Sequence, residues 1–519
     1  MTKDKKLNNL HKMQKLLNFN AITTILFVLF FSFPLTDYIL RQVLKIPILS
    51  SLWDELVLVG LLTMLGISWL VSEVDTNELN KIDITKPLII LVLYGGMLIF
   101  LDLPYFAIGI EGFRASFQYI FAFFAAFFLL RNRVHMLTML YIMVGIGLLM
   151  GLHGVYQYIA GVPMPGNWVD AGENVRTRAF SIVGSPNVLG SYMAFATFIS
   201  VGLSLWHLQL SQLFNKTKLF LTFSFDNSDN ISPYHTNSSK LDTIGTSKLA
   251  KIFSNNKVQL LLCLFFLGAA AVMALCLLLT FSRGALLAFG ASMALVAVII
   301  SLMYDRRMLF VVVGLAIIGV GAVYILAPTV VERLVYVFSP EYFEKSSQGG
   351  RITRWLNAFD RMRHEPFFGA GLGQYGGAVG ARHFGTIYVD NYYAKTWAEM
   401  GLVGISLFLW LVGALLKNGY QAWKKVWDSE FRFIAAGLFG GLLAVILHNG
   451  VENIFEVPFM NVLFWLTAGI LLSLPLQKQL QKQLPEQNQM QADNNQNFNT
   501  GTEQQLTSTS DKEVTSNEA

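Results

Sequence analysis

Apolar residues run in long blocks along this chain, and polar residues gather in a few stretches between them. A helix needs about 17 to 25 predominantly apolar residues to cross a bilayer. Blocks of that size lie at 20–40, 51–72, 87–103, 113–130, 134–159, 187–206, 258–280, 284–303, 308–327, 391–416, 433–449 and 458–475. In hydrocarbon every backbone polar group must be paired within the chain, and a single helix does this by itself. The pattern predicts an all-α polytopic membrane protein with about twelve transmembrane helices.

Three polar segments divide the blocks. Residues 207–257, with "NSDNISPYHTNSSK" at their centre, read as a flexible linker, and the Gln/Asn-rich stretch 476–519 reads as a disordered tail. Residues 328–390 differ, being punctuated by Gly and Arg in the manner of an ordered loop. The expected organisation is therefore transmembrane helices over 1–206, a cytoplasmic loop over 207–257, further transmembrane helices over 258–327, an extracytoplasmic loop over 328–390, C-terminal transmembrane helices over 391–475 and a cytoplasmic tail over 476–519.

Charge supplies the orientation. With the N-terminal lysines inside, the even-numbered turns carry Lys81, Lys86, Arg131, Arg133, the lysines of 216–257, Arg306, Arg307, Lys417, Lys424, Lys425 and Arg432. Basic residues favour the cytoplasmic side, so both termini are expected there. No small-residue cleavage site follows the first block, which reads as a retained helix. The composition agrees, with 54% hydrophobic residues, 14% charged residues and mean hydropathy +0.50. The net charge of +5 fits anchoring at an anionic leaflet better than a nucleic-acid partner. Cys263 and Cys276 share one apolar block, so no disulfide framework or thiolate metal site is implied.

The candidate chemistry lies at the ends of spans on the expected outer side. "LLLTFSRGALLAFG" places Arg283 between two apolar blocks, either as a snorkelling helix end or as a ligand for an anion. Arg176 and Arg178 precede a span in "NVRTRAFSIVGSPNVLG". In "RITRWLNAFDRMRHEP", Ile352, Trp355, Leu356, Phe359 and Met362 fall on one helical arc, with Arg351, Arg354 and Arg361 beside it. That pattern predicts an amphipathic helix on the membrane surface, whose arginines would face lipid phosphates or a substrate.

Asp390 and Asn391 stand at the mouth of the next span, where Asp390 is either a helix N-cap or a general base. Guanidinium groups suit phosphate because a planar fork donates paired hydrogen bonds and stays charged. Converging arginines would fit a lipid-linked diphosphate and hold it as it leaves, with no metal required. Glu399 and Lys395, four residues apart, read as a structural ion pair. His153, His383 and His448 lack metal-ligand spacing. Gly371, Gly373 and Gly376 spell G-x-G-x-x-G but lack a surrounding βαβ unit, so they read as turn glycines.

Taken in order, an "SRGA" turn, a large loop opening on "R..RW..A", then "P..GAGLG" and "DNYY......E.GL.G" resemble the O-antigen ligase and polymerase superfamily over roughly 280–405. "GSPN.LG" upstream and "LHNGVENIFE" downstream support the resemblance. It implies a metal-independent enzyme without cofactors, related in architecture to the C-type glycosyltransferases. Such enzymes move a glycan from undecaprenyl diphosphate to an acceptor hydroxyl at the outer face of the cytoplasmic membrane.

Arg178, Arg283, Arg351 and Arg354, with Arg176 beside them, would then contact the diphosphate, and Asp390 and Asn391 would be catalytic. Ligases carry a His-Asn pair at the position of Asp390 and Asn391, whereas the Asp-Asn pair here is similar to that of many polysaccharide polymerases. The implied partners are an undecaprenyl-diphosphate-linked oligosaccharide, an acceptor glycan, membrane lipids and other polysaccharide export proteins, with no nucleic acid. Glycan ligation and transport of lipid-linked sugars remain as alternatives, although no inverted repeat of the transporter kind is visible.

Overall fold

The computed structural model describes residues 19–70, 82–164, 177–211, 255–303 and 339–478, with scattered positions between 310 and 336. The expected span 308–327 falls largely outside the described residues, as do Arg176, most of the linker 207–257 and nearly all of the tail 476–519.

Helices α1 (Phe19–Phe31) and α2 (Phe33–Tyr38) form a pair bent by 78°. They are followed by α3 (Pro47–Leu70), α4 (Thr85–Leu101), α5 (Phe106–Phe117), α6 (Ala122–Leu129), α7 (Arg133–Ala160), α8 (Pro186–Leu210), α9 (Asn256–Leu279) and α10 (Arg283–Met303). The polar loop holds three short helices, α11 (Pro340–Ser347), α12 (Arg351–His364) and α13 (Ala378–Phe384). The chain returns through α14 (Tyr392–Lys425), α15 (Arg432–His448) and α16 (Pro458–Lys478). No strand occurs among the described residues. Among the described residues eight helices are long and apolar enough to cross a membrane, or nine with the bent pair, and α4 and α15 are shorter apolar helices. The molecule is thus an all-α polytopic membrane protein.

The expected block 113–130 is the second part of a longer helical run, Leu103–Leu129, which includes a 3-10 turn over Gln118–Phe121. There Tyr119 donates a hydrogen bond to the buried carboxylate of Asp54 on α3. The polar pair gives this run a fixed partner within an otherwise apolar packing.

α8 and α16 form the interior, and the helices around them turn apolar side chains outward. Leu261, Leu264, Phe265 and Leu267 on α9 and Leu287, Met293, Leu295 and Leu302 on α10 are exposed. A surface this apolar suits acyl chains and not water. α8 crosses α15 closely, since a Cβ on Gly202 would meet the backbone of Phe433 and one on Gly437 the backbone of Phe198. Small residues at such crossings let helices approach where no hydrophobic drive separates protein from lipid.

α14 is interrupted. Gly401 has φ 66 inside it, a conformation that an L side chain adopts only under strain. Loop segment 366–371 fills the gap. Leu402 N donates to Pro366 O at 2.8 Å and Val403 N to Phe367 O at 3.3 Å, while Ala370 N donates to Ala398 O at 2.8 Å and Gly371 N to Glu399 O at 3.0 Å. Tyr94 Oη donates to Met400 O at 2.8 Å. The loop thus supplies the partners that the broken helix lacks, which is how irregular backbone survives at membrane depth.

At the other end of the bundle, Arg133 pairs with Glu430 at 2.8 Å and Lys478 donates to Lys425 O at 2.8 Å. Turns that the charge pattern assigned to one side therefore meet there.

Candidate functional site

Four segments meet at the loop end of the bundle: 177–187, 280–284, 351–391 and 449–457. "GSPN" builds the first. Ser185 caps α8, its Oγ accepting from Val188 N, and Pro186 occupies the first turn, where its missing N–H costs nothing. Asn187 is thereby held at the helix start with its amide turned to the neighbouring loops. Ala179 N donates to Leu279 O at 2.9 Å, tying this segment to the end of α9.

Arg178 donates from Nε to Thr280 O at 2.8 Å and from Nη2 to Asn187 Oδ1 at 3.0 Å. Asn187 Nδ2 donates to Glu452 Oε2 at 2.6 Å. Glu452 Oε2 is 3.7 Å from Arg351 Nη2, and Arg351 Nε is 3.9 Å from Asp390 Oδ2. Arg354 Nη1 donates to Asp390 Oδ2 at 2.5 Å. An unbroken chain of charged and amide groups thus joins Arg178, Asn187, Glu452, Arg351, Asp390 and Arg354. The Asp390 and Glu452 side chains are 17% and 15% exposed, so both border the surface without standing free in solvent.

Arg283 opens α10 with its guanidinium 4.9 Å from the centre of the Tyr342 ring. The next residue, Gly284, lies against Val451 and His448, so a Cβ there would press on both side chains. The turn carrying Arg283 is therefore packed on the segment that carries Glu452. Burial, and then the charge of Asp390, push the Glu452 carboxyl above the usual glutamate range, while Arg351 and the Asn187 amide oppose the shift.

Asn391 takes the capping role at the mouth of α14, its Oδ1 accepting from Tyr393 N at 3.0 Å and Ala394 N at 3.1 Å. The cap falls on Asn391 because Asp390 has φ 50 and points its carboxylate to the arginines instead. A non-glycine residue in the left-handed region is a local strain of roughly 1–3 kcal/mol and persists where its surroundings hold it.

The expected ion pair of Lys395 and Glu399 is present at 2.6 Å, and Glu456 joins it at 3.2 Å. All three side chains are buried. Glu456 Oε2 accepts from Ala378 N at 3.2 Å, Glu399 Oε1 from Tyr375 N at 3.4 Å, and Asn453 Nδ2 donates to Gly376 O at 3.0 Å. These bonds fold the second half of the loop over α14. Gly371, Gly373 and Gly376, at φ 99, 74 and 74, make its turns, as expected of glycines outside a nucleotide fold.

The amphipathic helix is α12. It packs on α14 with Ala358 and Met362 buried and Phe359 set edge-on to Trp397, while Leu356 is 57% exposed. Arg361 pairs with Glu365 on the exposed side, away from the chain of groups above. His153 bonds Ser181 at 3.2 Å and His383 bonds Glu111 at 3.0 Å, each in its own surroundings. Among the described residues no three His, Cys, Asp or Glu side chains are grouped to hold a metal ion.

The structure thus brings together Arg178, Arg351, Arg354 and Asp390, sets the Arg283 turn against them, and leaves Arg176 outside the described residues. Asn187 and Glu452 are the two members that the sequence did not single out. Both lie in stretches that carry the resemblance, but neither sits in a spacing that points to chemistry.

The described residues thus form a helical membrane bundle with a cluster of arginines and carboxylates at one end. Residues 268–409 match the O-antigen ligase family, which supports the resemblance of this region to the O-antigen ligase and polymerase superfamily. The matched stretch includes Arg283, Arg351, Arg354, Asp390 and the break at Gly401. A search of curated protein sequences finds no match. Proteins of that family are glycan-transferring membrane enzymes that use lipid-linked glycans.

Proposed function

We propose that the protein polymerises undecaprenyl-diphosphate-linked oligosaccharide repeat units into a surface polysaccharide at the outer face of the cytoplasmic membrane. The observation that carries this reading is the chain of groups from Arg178 through Asn187, Glu452 and Arg351 to Asp390 and Arg354. Arg178, Arg283, Arg351 and Arg354, with Arg176, bind the donor diphosphate. The acceptor hydroxyl attacks the anomeric carbon and gives its proton to a carboxylate of the site, Asp390 being the residue to which the sequence points. The arginines neutralise the charge that gathers on the departing diphosphate. Asn391 holds the start of α14 and so fixes the backbone beside Asp390.

Ligation of a finished glycan to another acceptor is the second reading, favoured by the family match to O-antigen ligases. Both reactions use the same donor site. Deleting the gene and complementing it with wild type, Arg283→Ala or Arg351→Ala separates them. Polymerisation predicts single lipid-linked repeats accumulating in the deletion and in both variants, with long polymer lost. Long polymer that remains on the lipid carrier indicates ligation. Repeats trapped on the cytoplasmic side would sink both readings and indicate transport.

A further inference from the structure

Two carboxylates flank Arg351, and they are held differently. Asp390 Oδ2 is engaged by Arg354 at 2.5 Å, a short charge-assisted bond, with Arg351 a further 3.9 Å contact. Glu452 Oε2 is held at 2.6 Å by a neutral amide, that of Asn187, and Arg351 at 3.7 Å is beyond hydrogen-bond reach. A base must offer a lone pair to the hydroxyl it deprotonates. The Oδ2 atom of Asp390 is committed to two guanidinium groups that would also bind the donor, whereas Glu452 is held by the neutral amides of Asn187 and Asn453.

Resting on the transfer reading above, we propose that Glu452 takes the proton from the acceptor hydroxyl, while Asp390 is a positioning residue that keeps Arg354 and Arg351 aimed at the diphosphate.

In this step the acceptor O–H breaks towards Glu452 and the hydroxyl oxygen bonds to the anomeric carbon. The bond from that carbon to the diphosphate oxygen breaks and leaves its electron pair on the diphosphate. Glu452 then releases the proton to water. Asn187 orients the carboxylate and links it to Arg178, so the base is tied to a phosphate-binding candidate on each side. The environment agrees, since burial and Asp390 raise the Glu452 carboxyl, making it a stronger base when ionised. Two carboxylates placed so that their surroundings differ are the usual arrangement for separate roles.

The charged groups facing Glu452 are Arg351 from α12 and Asp390 from the start of α14, Arg178 is reached through Asn187 at the start of α8, and His448 from α15 faces Arg351 and the Gly284 turn. Arg283 stands on the turn packed against Val451.

The test uses the full-length protein in lipid nanodiscs, with lipid-linked oligosaccharide extracted from cells lacking the gene. Values of kcat and donor KM are measured against pH. Glu452→Gln is expected to lower kcat by roughly 10²- to 10⁴-fold and to abolish the acid limb of its pH profile. Glu452→Asp, which keeps a carboxylate, retains that limb at reduced kcat and covers failure of the glutamine variant to fold. Asn187→Ala moves the limb to higher pH, because the amide that favours the ionised form is gone. Asp390→Asn raises donor KM and keeps the limb, moved to lower pH because the charge that raises the Glu452 carboxyl is gone. An acid limb that survives in Glu452→Gln, or disappears in Asp390→Asn, overturns the assignment and makes Asp390 the base. Absence of any transfer by the wild type overturns the transfer reading itself and this assignment with it.

Discussion

At the residue scale, the arrangement around Arg351 shows how much of a site depends on partners and not on residue type. The arginines, Asp390 and Asn391 are legible in the sequence because charge at the edge of an apolar block stands out. Glu452 is not, because a glutamate in "NGVENIFE" looks like any loop acid until Asn187 and Arg351 are brought to it from 265 and 101 residues away in sequence. The division between Asp390 and Asn391 was equally hidden, since either could cap a helix and only the backbone at Asp390 decides.

Glu452 also carries a stability prediction with a definite sign. Its carboxyl is raised in the fold, so the folded state holds the proton more tightly than the unfolded chain does. Below the ordinary glutamate range both states are protonated and nothing is lost. As pH rises through the raised value, the fold must ionise a group that its surroundings resist, and stability falls. Glu452→Gln should therefore melt above wild type at pH 8 and level with it at pH 4. Thermal unfolding in detergent micelles at the two pH values checks this. A difference of the same size at both would show that the substitution acts through packing alone.

At the element scale, α14 and the loop before it are one unit. The apolar pattern predicts a continuous span from 391, and a glycine in "EMGLVG" gives no sign of a break, because isolated glycines are common in membrane helices. What the pattern cannot show is that segment 366–371 supplies the missing hydrogen bonds. Gly401→Ala is expected to be severe. At φ 66 and ψ −169 the backbone lies in a region that only glycine adopts readily, a strain of roughly 1–3 kcal/mol for alanine, and the new Cβ would collide with the backbone of Phe367. A fall in melting temperature together with loss of glycan transfer is the expected result. A variant that melts like wild type would mean the loop can withdraw from the break without cost.

The Lys395 cluster holds the other half of the same unit. Lys395→Met leaves the Glu399 and Glu456 carboxylates buried without their cation, a loss of roughly 3–5 kcal/mol. Adding Glu399→Gln and Glu456→Gln should restore most of that stability, because the unpaired charges go too. Chemical denaturation of the single and triple variants decides it. A triple variant no more stable than the single would assign the effect to lost hydrogen bonds to Tyr375 and Ala378, and not to charge.

At the scale of the whole molecule, the class of fold follows from block length alone, and eleven of the twelve expected blocks coincide with apolar helices. The agreement is physical, since a bilayer imposes one length and one way of pairing the backbone. The layering is less legible. α8 and α9 read alike as apolar runs, yet α8 is almost wholly enclosed while α9 faces outward with Leu261, Leu264, Phe265 and Leu267. What separates them is the set of small and hydroxylated residues on α8, with Ser200 and Ser204 bonding Phe266 O and Cys263 O of α9. Such residues matter only once neighbours are known.

The break at Gly401 also sets an order on assembly. Because the loop precedes α14 in the chain, segment 366–371 leaves the ribosome first. Residues Tyr392–Met400 then arrive with carbonyls that the helix beyond them cannot satisfy. They can settle only against a loop that is already waiting. Folding of this region is therefore a docking event, in which the first stretch of one membrane helix is completed by backbone synthesised before it.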